Sequence, residues 1–143
     1  MKLYIAAPWV DRAYASAVAT EFERAGHTIT HKWWDVDSTH EPPTMSSLHD
    51  AYSHEFLCDQ ALEDIRGVLA CEVFILLDTR KSEGKAVEQG IALITGKPIL
   101  AIGICGSESL NVFHHLPCYT WVPTIDMATT KVVTLIESPS MPT

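Results

Sequence analysis

The sequence has no CxxC pair, and its four cysteines, Cys58, Cys71, Cys105 and Cys118, stand far apart. Their spacing fits no zinc pattern, so they read as free buried thiols in a reducing cytoplasm. No apolar run approaches the ~20 residues of a membrane span. No signal peptide stands at the start; the N-terminus runs straight into a strand-like segment. Basic residues are scarce: ten Lys and Arg face eighteen Asp and Glu, for a formal charge of −8. That argues against an extended basic footprint, so neither a nucleic-acid polymer nor a membrane is an expected partner. Local groups decide whether a single nucleoside or nucleotide binds.

Several motifs are missing as well. There is no GxGxxG, so a dinucleotide fingerprint is not supported. Gly84-Lys85 lacks the upstream glycine of a P-loop. Neither HExxH nor HxE…CxxC occurs, which argues against a zinc hydrolase or deaminase. No serine sits in a GxSxG elbow. Of the seven histidines, His114 and His115 are neighbours and read as surface or turn residues.

What is present is an ordinary globular composition, 47% hydrophobic and 20% charged over 143 residues. It fits one domain over residues 1–137 with a frayed tail, 138–143. The chain is organised around Cys71 to Gly103. An apolar run, Val73 to Leu77, ends on Asp78. A polar loop follows, then a helical pattern carrying Glu88. Gly96-Lys97-Pro98 stops that helix, and a second apolar run, Ile99 to Ile102, begins. This is the grammar of a βαβ unit. Ligands in such sheets bind outside the carboxyl ends of the strands, where Asp78 and the loop would lie.

The rest of the chain alternates in the same way. Lys2 to Ala7 reads as a first strand. Asp11 is placed to cap a helix from about Arg12 to Ala25, with Ala15, Val18, Ala19 and Phe22 as its buried stripe. His27 to Trp33 alternates as a second strand. Asp35 to Ser47 is a polar loop, long enough for a lid or binding role. Ser46 or Ser47 is placed to cap a helix running to about Ala70, with an apolar stripe at Leu57, Ala61, Ile65 and Val68. After the βαβ unit come a short turn at Asn111 to Leu116, a fifth strand at Tyr119 to Val122 and a last helix from Thr124 to Ile136. The expectation is a single-domain, three-layer αβα protein with a five-stranded parallel sheet, flavodoxin-like or Rossmann-like.

Each chemically interesting residue has a plainer reading beside the functional one. Glu88 lies among small and apolar residues, where a carboxylate is costly to bury unless paired. It reads as a nucleophile or base near the sheet edge, or as a first-turn acid favoured by the helix dipole. Asp64 reads by itself as a solvated helix acid. Asp78 ends a strand, a position that lines sites in α/β sheets. Tyr4 fits the core, provided that its hydroxyl finds a partner. Trp9, Trp33 and Trp34 either pack or stack on a flat ring. Gly84 and Gly90 permit close approach of backbone or ligand.

Taken together, these residues resemble the nucleoside 2-deoxyribosyltransferase family over most of the chain. The resemblance is carried by YIAAPWVDR at the start, DIRGVLACEVFILLD around Asp64, the core GKAVEQGIALITGKPI, and Asn111 in NVFHHLP. It implies that Glu88 is the nucleophile, attacking the anomeric carbon of a 2-deoxyribosyl group. It implies that Asp64 is the acid beside the leaving base and that Tyr4 orients the nucleophile. Asn111 matches a residue that reaches the sugar's 5′ end from a neighbouring subunit, so a homo-oligomer is implied. Trp9, Asp78, Ser82 and Gly84 complete the expected substrate-binding set. No metal or organic cofactor is implied. Ser82 stands where members binding a free 5′-hydroxyl often carry Asp. A related branch, the 2′-deoxynucleoside 5′-monophosphate N-hydrolases, uses serine there to hold phosphate. Three readings stay open: the transferase, a monophosphate N-glycoside hydrolase, and a non-catalytic flavodoxin-like nucleotide-binding module.

Overall fold

The structure, a computed structural model, describes residues 1–35 and 52–137. Five strands form one sheet: β1 (Lys2–Ala6), β2 (Thr28–Ile29), β3 (Val73–Leu77), β4 (Ile99–Ile102) and β5 (Tyr119–Val122). They run in the order β2-β1-β3-β4-β5, and every adjacent pair is parallel. Four α-helices, α1 (Arg12–Arg24), α2 (His54–Ala70), α3 (Glu83–Ile94) and α4 (Ile125–Lys131), make the crossovers and the close of the chain. This is the expected α/β architecture. Its order reverses between β1 and β3, so a crevice opens at their carboxyl ends.

Alternation along the strands builds two cores. Leu3, Ile5, Val73, Ile75 and Leu77 face α1 and α4. Tyr4, Ala6, Phe74 and Leu76 face α2 and α3. All five residues of β3 are buried, as a central parallel strand requires. The expected stripe of α1, Ala15, Val18, Ala19 and Phe22, is buried. α4 is capped by Thr124 and gives way after Lys131 to a 3-10 helix, Val132–Glu137, so the expected single helix is split.

Several expectations need correcting. β2 is two residues long, not seven. Beyond Ile29 the chain leaves the sheet: the Thr30 hydroxyl donates to Gly67 O at 2.8 Å, and Trp33 Nε1 donates to Ile5 O at 2.7 Å. Asp11 precedes α1 but does not cap it, because its carboxylate is engaged by Thr79 and Arg80. The described part of α2 is capped by Ser53, whose hydroxyl oxygen accepts from Phe56 N at 3.1 Å. Ser46, Ser47 and most of the expected loop lie outside the described residues, as does the tail. Of the α2 stripe only Val68 is buried, while Ile65 is exposed. The reason is that α2 overhangs the carboxyl end of the sheet, so Leu57 and Ala61 line a cavity instead. The cysteines are all free, but Cys58 is exposed and Cys105 half-buried; Cys71 and Cys118 are buried. No described helix is long and apolar enough to cross a membrane.

Candidate active site

A cavity of about 250 Å³ opens at the β1/β3 switch point. Two carboxylates reach it from different helices. Ser82 caps α3, its hydroxyl oxygen accepting from Lys85 N at 3.3 Å. Glu88 follows about one and a half turns later and turns toward the sheet, with Oε1 4.0 Å from where a Cβ on Gly84 would stand. Asp64 comes from α2, whose close approach to β1 is made possible by Gly67.

Glu88 Oε2 is shut from solvent and has no hydrogen-bond partner. Burial pushes the carboxyl up to about 8; the nearby Tyr4 hydroxyl opposes this, and the negative charge of Asp64 adds to it. At neutral pH Glu88 therefore keeps its proton. The Tyr4 hydroxyl is likewise buried without a hydrogen-bond partner, and burial, Glu88 and Asp64 together drive its pKa far up. Tyr4 is thus a neutral hydroxyl at every working pH. His31 Nε2 lies 3.3 Å from Asp64 Oδ1. That is close enough for charge to act, although the pair is not aligned as a hydrogen bond.

The walls are aromatic. Trp9 and Trp33 lie on one side, with ring centroids 6.5 Å apart. Tyr52 and Phe56 lie on the other, stacked at 4.5 Å. Such walls suit a flat ring. Trp9 Nε1 is buried with no acceptor among the described residues. The Arg12 guanidinium lies over the Trp9 ring, 4.8 Å from its centroid, and donates to Trp9 O. Trp34 belongs to the core instead.

The loops after β1 and β3 are clasped together. Arg80 donates from Nε and Nη2 to Asp11 at 3.0 and 2.9 Å, and the Thr79 hydroxyl donates to the same carboxylate. One loop carries Trp9 and the other leads to Ser82 and Gly84, so the clasp holds two walls in register.

The expected residues separate into two groups. Glu88, Asp64, Trp9, Ser82 and Gly84 line the first cavity, with Tyr4 beside its carboxylates. Asp78 and Asn111 line a second cavity, which shares Ser82 with the first. Asn111 caps the 3-10 turn Val112–His115, its Oδ1 accepting from Phe113 N.

Four polar residues escaped sequence reasoning. Lys85 and Gln89 are buried, although a charged and an amide residue at the start of a helix read as solvated. His114 is buried too, correcting its reading as a surface residue, whereas His115 is exposed. His31 was read as part of a strand. No local pattern marks any of them. Among the described residues no His, Cys, Asp or Glu cluster could hold a metal ion.

No protein-family model and no curated protein sequence matches the chain. Solved structures do. A 2-deoxyribosyltransferase from the psychrotolerant bacterium Bacillus psychrosaccharolyticus is 18% identical, with a TM-score of 0.63 over 100% of this chain and 99% of that one. A CMP N-glycosidase from Clostridium botulinum, BcmB, is 16% identical, with a TM-score of 0.56 over 93% of this chain and 99% of that one. At these identities the likeness is one of architecture: over 93% of its length or more, this chain has the fold of those two structures.

Proposed function

We propose that the protein is a nucleoside 2-deoxyribosyltransferase. It would cleave the N-glycosidic bond of a 2′-deoxynucleoside and pass the deoxyribosyl group to another base. One observation carries the reading: a buried, unpartnered carboxyl group, Glu88, and the Asp64 carboxylate from another helix line one aromatic-walled cavity. The fold shared with a deoxyribosyltransferase and an N-glycosidase supports it.

The chemistry follows from the proton on Glu88. Glu88 passes its proton to Tyr4 as the Tyr4 hydroxyl passes its own to Asp64. Glu88 becomes the nucleophile and Asp64 the acid in one movement. A Glu88 oxygen bonds to the anomeric carbon as the carbon–nitrogen bond breaks. The bonding pair goes to the base, whose ring nitrogen takes the proton from Asp64. The transition state is cationic at the sugar, and the carboxylate beneath stabilises it. A second base attacks the same carbon, loses a proton to Asp64 and releases Glu88. Trp9 and Trp33 hold the base by stacking.

A second reading is hydrolysis of a nucleoside 5′-monophosphate, water taking the place of the second base. It is supported by Lys81 and Ser82 on the wall of the second cavity. A chromatographic assay with deoxynucleosides and their 5′-monophosphates, each with and without a second free base, tests both. A new nucleoside is expected only when the second base is present; free base from monophosphates without exchange would replace this reading with the second. In the same assay Asp64→Asn is expected to slow poor leaving bases about 10²-fold more than good ones. Equal slowing would remove Asp64 from the acid role.

A homo-oligomer is part of the proposal. Leu62, Ile65 and Leu69 on α2 and Val87 and Ile94 on α3 are large apolar residues left exposed on adjacent helices. Solvent rarely faces so much apolar surface on one side of a monomer. Sedimentation equilibrium is expected to give a dimer or larger; a monomer at micromolar concentration would overturn this part.

A further inference from the structure

Beyond Ile29 the chain leaves β2 and passes against α2. Two bonds fix its course. Thr30 N donates to Leu3 O at 2.9 Å, and the Thr30 hydroxyl donates to Gly67 O at 2.8 Å. His31 is thereby set against Gly67, where a Cβ on the glycine would stand 2.8 Å from His31 Cβ. Asp64 lies three residues before Gly67 on α2, so one face of the helix presents both. The result is a contact between side chains far apart in sequence: His31 Nε2 lies 3.3 Å from Asp64 Oδ1.

Both atoms are shut from solvent, and neither has a hydrogen-bond partner. A buried polar atom left unpaired is costly, and each of these stands within reach of the other. They face each other without the alignment of a hydrogen bond, a looseness common in sites before substrate arrives. The last torsions of both side chains are broad, so a modest turn brings the bond into line.

The direction of that bond follows from the charges. At neutral pH Glu88 keeps its proton and Asp64 is the negative neighbour. A carboxylate oxygen only accepts, so His31 Nε2 must carry the hydrogen. Of the Asp64 carboxylate only Oδ1 is enclosed, and 32% of the side chain is accessible. Oδ2 is therefore the oxygen left to meet a base in the cavity that Asp64 lines. The chemistry derived above needs Asp64 ionised twice. The first time is while Glu88 holds the proton. The second is after the base has left, when Glu88 is tied up as an ester and carries no charge. A donor on Oδ1 serves both states.

Resting on the reading of the Glu88 cavity given above, we propose that His31 is a positioning residue of the reaction. Its Nε2–H holds Asp64 Oδ1, so the carboxyl meets the leaving base with Oδ2 and returns to the ionised form once the base has gone. His31 does not line the cavity, so it acts through Asp64.

His31→Phe keeps a flat ring against Gly67 and removes the donor. For a poor leaving base its kcat is expected to fall about 10-fold or more with KM within about twofold of wild type, and for a good leaving base less than about threefold. In an Asp64→Asn background the same substitution is expected to cost less than about twofold, because the group it acts through is gone. His31→Gln, which places an amide N–H near the position of Nε2, is expected to come within about threefold of wild type. A loss of equal size in the Asp64→Asn background would overturn the assignment. So would a loss that falls on KM alone, or a glutamine variant no better than the phenylalanine one. The wild type decides the matter even if His31→Phe fails to fold. In a long-range proton–nitrogen NMR spectrum of histidine-labelled protein at neutral pH, the His31 signal is identified by its loss in His31→Gln. Its Nε2 is expected to carry a proton, and a bare Nε2 would overturn the donor. Cleavage that is indifferent to His31 sinks this inference alone. Absence of all N-glycosidic cleavage by the wild type sinks the reading of the Glu88 cavity, and this inference with it.

Discussion

Glu88→Gln protein is expected to lose about 10⁴-fold or more of its turnover and yet to unfold less readily than wild type at alkaline pH. The two effects have one cause. The Glu88 carboxyl is held up to about 8 against an ordinary value of 4.5. Between those values the folded chain binds a proton that the unfolded chain has released, so stability falls as pH rises. The contribution is fully present below 4.5 and is lost as pH passes through about 8. Glutamine has nearly the same shape and does not titrate, so it escapes the loss. The gap in unfolding free energy between variant and wild type should be near zero at pH 4.5 and about 3 to 5 kcal/mol at pH 9. Urea titrations at the two pH values measure it. A gap that stays flat with pH would mean that the proton does not reside on Glu88. The kinetic counterpart has the same origin. Above about pH 8 Glu88 loses the proton that the cleavage step passes on, and kcat/KM for a poor leaving base is expected to fall there.

Gly67→Ala is expected to cost about 2 to 3 kcal/mol of stability and about 10²-fold in turnover. The added Cβ would stand 2.8 Å from His31 Cβ and 2.9 Å from Tyr4 Cδ2 and Cε2. None of those atoms is the free end of a flexible chain. His31 Cβ is fixed to its backbone, and Tyr4 is 0% exposed between strand and helix. α2 must therefore ride away from β1, taking Asp64 with it, away from Glu88 and Tyr4. Gly90→Ala is the control. It lies in α3 with nothing of its own chain within 4 Å of its Cβ position, so the fold should gain up to about 1 kcal/mol from helix propensity. Equal behaviour of the two variants would mean that the α2–β1 contact does not set the site.

The contrast between these glycines shows where sequence reading stops. Gly90 and Gly67 both sit in helical patterns, and only the docking of α2 on β1 distinguishes them. Features set by neighbours in sequence were legible: the burial of β3, the stripe of α1, the Gly96-Lys97-Pro98 stop, and the parallel sheet that alternation implies. Features set by distant partners were not. β2 stops at Ile29 because the chain turns to meet Gly67 and Ile5. Asp11 looks like a helix cap until the loop after β3 presents Arg80. Lys85 reads as a surface lysine, since nothing local reveals that two backbone carbonyls will surround its ammonium group. Glu88, Asp64 and Tyr4 stood out through motif and resemblance, and the fold brings them to one place. The histidines beside the two cavities carried no such signal.

The clasp between Asp11 and Arg80 has a consequence for how the molecule responds to a ligand. It joins a wall that stacks on a ring to a wall that begins at Ser82, so anything wedged between them bears on both. By linkage, whatever the clasp adds to the grip on a ligand, the ligand returns to the clasp in equal measure. Arg80 is largely exposed, with 60% of its side chain accessible, so dissolved salt competes for it. Ionic strength thereby acts as a remote control on the tightness of the crevice, without any ion entering it.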